Sequence, residues 1–128
     1  LRARAGPETT VRGWLTDREV GELYRHGPSF LLPGEEDFGI TPLESMACGT
    51  PVAALDRGAV REVVDDGVTG GVFGSLDDMV SGLSRVLALD RQAVREQAVR
   101  RFNVARMVDG YVSAYRRIVG GARAPAAG

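Results

Sequence analysis

The chain has 128 residues, enough for one domain with one core, and its 16 basic residues against 17 acids leave a net charge of −1. That balance excludes a nucleic-acid or acidic-membrane footprint. All the basic residues are Arg, which excludes a phosphate-loop lysine, a Schiff-base lysine and the lysine of a phospho-receiver site. Cys48 and His26 are the sole Cys and His and lie far apart, so they do not make a zinc site. A lone Cys48 cannot form an internal disulfide, which fits a reducing compartment. No signal peptide and no run of about 18 apolar residues is visible. The chain opens on Leu1 rather than Met, which reads as a piece of a longer protein.

Residues 9–15, "TTVRGWL", read as a short strand with a glycine break. Thr16 with Glu19 three positions on forms a capping box, and the helix that follows carries Val20, Leu23 and Tyr24 on one face. Residues 29–33, "SFLLP", are a compact apolar strand stopped by Pro33. An acidic loop leads to "TPLESMACG", a helix with Leu43, Met46 and Ala47 at core spacing and Gly49 at its C-terminus. A buried strand at 51–55, a short helix at 59–67 closed by Gly67 and a strand at 70–74 come next. Ser75 caps a helix whose Leu76, Met79, Val80, Leu83, Val86 and Leu87 fall three and four apart. Val94, Ala98 and Phe102 continue the pattern with arginines outside, and a last helix over about 103–119 carries Tyr111 and Tyr115. Residues 120–128 show no pattern and read as a flexible tail. Trp14 and Tyr24 read as core residues, and Cys48 as a small buried filler. Strands alternating with helices define an α/β fold with a parallel sheet, which binds ligands beyond the carboxyl ends of its strands.

The stretch "EEDFGITPLE" occupies that position. Thr41 suits an N-cap, Pro42 the first helical position, and Glu44 the third, which would complete a second capping box. A second reading uses the same side chain differently. Free backbone N–H groups in "FGIT" and the close approach that Gly39 permits would make an anion site at the helix N-terminus, and Glu44 would reach a sugar hydroxyl. Glu35, Glu36 and Asp37 precede the helix; Glu35 reads as solvent-facing, and adjacent acids alone are a weak signal for Mg²⁺. No G-x-G-x-x-G follows a strand, so a dinucleotide fingerprint is absent.

"EDFGITPLE", residues 36–44, resembles the E-x7-E motif of retaining GT-B glycosyltransferases of family 4. The flanking "VRGWLTDREVGELYRHGPSFLLPGEEDFG", "SMACGTPVAA" and "RGAVREVVDDGVTGGVF" are similar to the segments around that motif, so the resemblance spans roughly residues 10–119. It implies a Rossmann-like parallel sheet flanked by helices, the C-terminal donor-binding half of a two-domain enzyme. Residues 1–119 would be part of that domain, and the last helix would return to an N-terminal domain not contained in this chain. Glu36 would take the catalytic position beside the donor sugar. Asp37, Phe38, Gly39, Ile40 and Thr41 would line the sugar and phosphates, and Glu44 would hydrogen-bond the nucleotide ribose. The reaction implied is transfer of a hexose from a nucleotide diphosphate sugar of GDP-mannose or UDP-glucose type, with retention by front-face displacement. No metal and no cofactor beyond the donor substrate is implied.

The commonest wording of the motif is E-G-F-G-L-P-x-L-E; here Asp37 replaces the first Gly and Thr41-Pro42 shifts the proline by one. The "EDFG" wording resembles that of mannosyltransferase-like members. Such domains begin about 50–70 residues earlier, in a part that would carry the basic residues gripping the diphosphate. Arg2, Arg4 and Arg12 read instead as surface charges. The resemblance thus implies a fragment inactive alone, acting in the cytoplasm on a sugar or lipid-linked acceptor held by the other domain. Through that domain it would associate with the inner membrane in cell-envelope polysaccharide or glycolipid synthesis. A sugar-nucleotide epimerase of the same fold and a non-catalytic nucleotide-binding module are the rival readings.

Overall fold

A computed structural model describes residues 5–121. Its elements follow the alternation read from the sequence. They are α1 (Asp17–His26), β1 (Phe30–Leu32), α2 (Ile40–Ala47), β2 (Val52–Leu55), α3 (Val60–Val63), β3 (Gly70–Phe73), α4 (Leu76–Leu87), α5 (Arg91–Arg101) and α6 (Val104–Gly121). The strands form one parallel sheet in the order β1-β2-β3, with Phe30 opposite Val52 and Val52 opposite Gly70.

The central strand explains the layering. All of β2 is buried, as a parallel strand covered on both faces must be. Val52 and Ala54 point to one face, where they meet Met46 of α2, Val60 and Val63 of α3, and Val94 and Ala98 of α5. Ala53 and Leu55 point to the other and pack with Phe73 of β3 and with Met79 and Val86 of α4. Side chains alternate across a strand, so this four-residue run supplies two cores at once.

Local signals set several boundaries. Thr16 and Glu19 form the expected capping box: Glu19 Oε2 accepts from the Thr16 N–H at 2.8 Å, and Thr16 Oγ1 accepts from the Glu19 N–H. Ser75 Oγ accepts from the Asp78 N–H at 3.1 Å and opens α4. At the end of α2, the Gly49 N–H donates to Met46 O at 2.8 Å and the Thr50 N–H to Ser45 O at 3.0 Å, the paired bonds of a Schellman motif.

Other expectations fail. Residues 9–15 form no strand: Arg12 and Gly13 interrupt the apolar alternation, and Trp14 is 88% exposed, so the segment buries no face that pairing could protect. Trp14 is therefore not core, and Tyr24 is only half-buried, its ring edge set against Phe30. The helix expected over 59–67 is the single turn α3, because Val64 is extended and the chain then turns at 65–69 around Thr69, whose hydroxyl accepts from the Asp65 N–H. The arginines of α5 do not all face solvent. Arg91 donates to the carbonyls of Gly27 and Arg25 at the end of α1 and to Thr50 Oγ1, at 2.6–2.7 Å. Arg101 pairs with Asp65 at 2.5 Å. Cys48 is half-buried at the end of α2.

Helix α6 runs through Gly120 and Gly121, two residues past the expected end, and leaves Tyr111, Tyr115 and Ile118 exposed. The rest of the expected tail, and Arg2 and Arg4, lie outside the described residues. No helix among the described residues is long and apolar enough to cross a membrane.

Candidate active site

The acidic loop leaves the carboxyl end of β1, and the loop after β2 meets it. Glu36 and Gly58 form an isolated parallel bridge, with the Ala59 N–H donating to Glu36 O at 2.7 Å. This bridge keeps the β1–β2 register four residues past the last strand pair, Leu32 opposite Ala54, and fixes where the Glu36 backbone sits.

The Glu36 carboxylate folds back toward α2. Its Oε1 accepts from the Gly39 N–H at 3.0 Å and from the Phe38 N–H at 3.4 Å, and its Oε2 lies 3.5 Å from Thr41 Oγ1. Gly39 is buried with φ of 86°, and a Cβ there would lie 2.5 Å from Val63 Cγ2. A left-handed residue with no side chain is what lets the chain turn into the helix at this point. Gly39 is therefore the N-cap and Ile40 the first helical residue.

This corrects the capping box expected between Thr41 and Glu44. The helix starts two residues earlier than Thr41 suggests, no side chain of residue 39 caps it, and Glu44 lies in the second turn. The acid that satisfies the amides at the entrance is Glu36. Pro42 falls on the third helical position, where a missing N–H still costs no intrahelical bond. The amides of Ile40 and Thr41 point out of the helix N-terminus, where a bound anion would meet them.

The remaining expected residues fall around this entrance. Asp37, Phe38 and Ile40 are exposed and, with Gly39, line a hollow of 310 Å³ closed behind by Leu43, Val63 and Phe102. Thr41 and Glu44 line a different groove, of 480 Å³, between α1 and α2. Glu44 is exposed, and its carboxylate accepts from the Tyr24 hydroxyl at 3.4 Å. Glu35 is solvent-facing, as expected. Arg61 is held in a bidentate pair with Asp56, at 2.5 and 2.7 Å.

Sequence reasoning missed Gly58, Ala59 and Tyr24. Gly58 could have been suspected from a glycine just after an apolar strand. Tyr24 carries no local signal, because its partner is 20 residues away.

The amides of Gly39 and then Phe38 hold the Glu36 carboxyl below its ordinary pKa of 4.5. The Thr16 amide does the same for Glu19, and the Arg61 guanidinium for Asp56. Each folded pKa lies below the unfolded one, so the stability these groups contribute is whole above the unfolded value and is lost as pH falls through the folded one. Thermal stability is therefore expected to be flat near neutrality and to fall as the pH drops below 4.5. The acid slope should be shallower in Glu36→Gln. A melting series against pH checks this, and identical slopes in the two proteins would refute the Glu36 contribution.

A parallel sheet with helices on both faces, and a helix N-terminus beyond a strand's carboxyl end, define an α/β Rossmann-like unit consistent with the C-terminal part of a GT-B enzyme. Residues 1–89 match the family model described as Glycosyl transferases group 1, and the chain belongs to that family. It is similar to the D-inositol 3-phosphate glycosyltransferase of Thermobispora bispora, with 35% identity over 114 residues, covering 78% of this chain and 26% of that protein. The protein of the same description from Geodermatophilus obscurus is 37% identical over 103 residues, covering 75% of this chain and 22% of its own length. That of Mycobacterium bovis is 31% identical over 112 residues, covering 80% and 23%. The chain thus spans about a quarter of the length of these relatives.

Proposed function

We propose that this chain is the donor-binding part of a retaining family 4 GT-B glycosyltransferase, and that "EDFGITPLE" is its E-x7-E motif. The observation that carries the reading is the entrance to α2. There the Glu36 carboxylate and the first-turn amides of Ile40 and Thr41 share one helix N-terminus, in a chain of the Glycosyl transferases group 1 family.

The donor diphosphate lies on that N-terminus, where amide donors and the helix dipole stabilise the charge that grows on the leaving group. Asp37 to Thr41 line the sugar and phosphates. The carbon–oxygen bond to the diphosphate breaks with its electron pair going to the phosphate oxygen. The acceptor hydroxyl attacks from the same face, and its proton passes to the departing phosphate. Glu36 is held ionised by its amide partners, so it acts not as an acid but as a fixed negative charge beside the sugar carbon as positive charge develops there. Glu44 accepts from the ribose hydroxyls. The donor on this reading is a hexose nucleotide of GDP-mannose or UDP-glucose type, used without a metal. The similarity to D-inositol 3-phosphate glycosyltransferases makes inositol 3-phosphate the first acceptor to try. The acceptor is held outside this chain, so the 128 residues alone are expected to give no turnover.

Titration calorimetry of the full-length protein with GDP-mannose, UDP-glucose and GDP tests the reading. Glu44→Gln should weaken the nucleotide that binds by about tenfold, the scale of a hydrogen bond to a charged group. An unchanged affinity, or no binding of any of the three, would remove it.

A further inference from the structure

The Glu44 carboxylate is exposed, and its protein hydrogen-bond partner among the described residues is the Tyr24 hydroxyl, which donates to Oε2 at 3.4 Å. Tyr24 itself is held at two further points. Its ring meets Phe30 of β1 edge-on, with centroids 5.8 Å apart and planes at 71°. Its carbonyl accepts from the Thr50 hydroxyl, and Thr50 Oγ1 in turn accepts from Arg91 at 2.6 Å. The same guanidinium grips the carbonyls of Arg25 and Gly27, so the end of α1 is locked against the turn that closes α2. Tyr24 and Glu44 face each other across the groove that Thr41 also lines.

On the reading that Glu44 binds ribose, we propose that Tyr24 is the positioning residue for that carboxylate, its hydroxyl taking Oε2 and leaving Oε1 for the sugar. An exposed glutamate has several rotatable bonds, and orienting it before the ligand arrives removes part of the entropy cost of binding. Burial, and then the neighbouring Glu44 charge, push the Tyr24 hydroxyl above its ordinary pKa, so it remains a donor through the neutral range. At 3.4 Å the bond is long for O–H···O, so its contribution lies in direction more than in strength.

Tyr24→Phe keeps the ring on Phe30 and removes only the donor. In the full-length protein, GDP and UDP are each compared with their 2′,3′-dideoxy counterparts, with Glu44→Gln and the double variant alongside. Tyr24→Phe is expected to weaken the ribonucleotide that binds by about fivefold, to leave its dideoxy form unchanged, and to add nothing in the Glu44→Gln background. Equal weakening of ribo and dideoxy forms, or additivity with Glu44→Gln, would overturn the proposal, since a general loosening of α1 would produce either. Discrimination lost in Glu44→Gln but kept in Tyr24→Phe overturns the proposal alone. Discrimination kept in Glu44→Gln removes the ribose reading, and the proposal with it.

Discussion

Glu36→Gln is expected to lower sugar transfer by the full-length protein about 10²–10³-fold, the scale of losing one aligned electrostatic group at a reacting centre. Nucleotide affinity should change by less than about twofold, because uniform binding is not what the charge supplies. The substitution separates charge from shape. A glutamine carbonyl can still accept from the Gly39 amide, as the carboxylate does at 3.0 Å, so the entrance to α2 keeps its geometry while the negative charge disappears. Glu36→Ala is the contrasting variant: it also leaves the Gly39 and Phe38 amides without their acceptor, and should lose thermal stability as well as transfer. Initial rates with donor and acceptor, together with melting curves, check both. Transfer by Glu36→Gln within tenfold of the unaltered protein would mean that Glu36 is a loop cap and nothing more.

Gly58→Ala should damage both stability and transfer, although residue 58 is none of the reacting groups. Gly58 has φ of 58°, and a Cβ there would lie 2.3 Å from Glu36 O and 3.0 Å from Glu36 C. The obstacle is backbone, which cannot swing aside as a side chain can. The variant must break the Glu36–Gly58 bridge and the bond from the Ala59 amide to Glu36 O. Left-handed strain plus the lost bond amounts to about 3 kcal/mol of stability. Transfer should fall more than tenfold, since the site depends on where Glu36 sits. Gly67→Ala is the control. Gly67 has φ of 77° but nothing within 4 Å of the added carbon, so it should cost only the conformational penalty of about 1 kcal/mol and leave transfer intact. Urea unfolding and rate measurements on the pair check this. Equal losses in the two variants would show that the Gly58 contact with Glu36 does not matter.

The distance over which a decision is made separates the features that could be read in the chain from those that could not. The caps at Thr16 and Ser75, the closing turn at Gly49 and the apolar runs of β1, β2 and β3 each depend on residues within about four positions, or on burial of one short segment, and these were legible. The resemblance of residues 36–44 marked the loop that the fold places beyond β1. The start of α2 was not legible. Thr41-Pro42-Leu43-Glu44 satisfies the local pattern of a capping box as well as any sequence does. It loses because the backbone of Glu36 is pinned by Ala59, 23 positions on, and Gly39 can turn left-handed against Val63, which brings a different carboxylate to the amides. The grip of Arg91 on the end of α1 and the meeting of Tyr24 with Glu44 are likewise contacts between distant residues. The sequence on its own therefore established the family resemblance, the alternating elements and which loop to watch. Folding assigned the acids of that loop their partners, because a carboxylate takes whichever donors the packed backbone brings within reach.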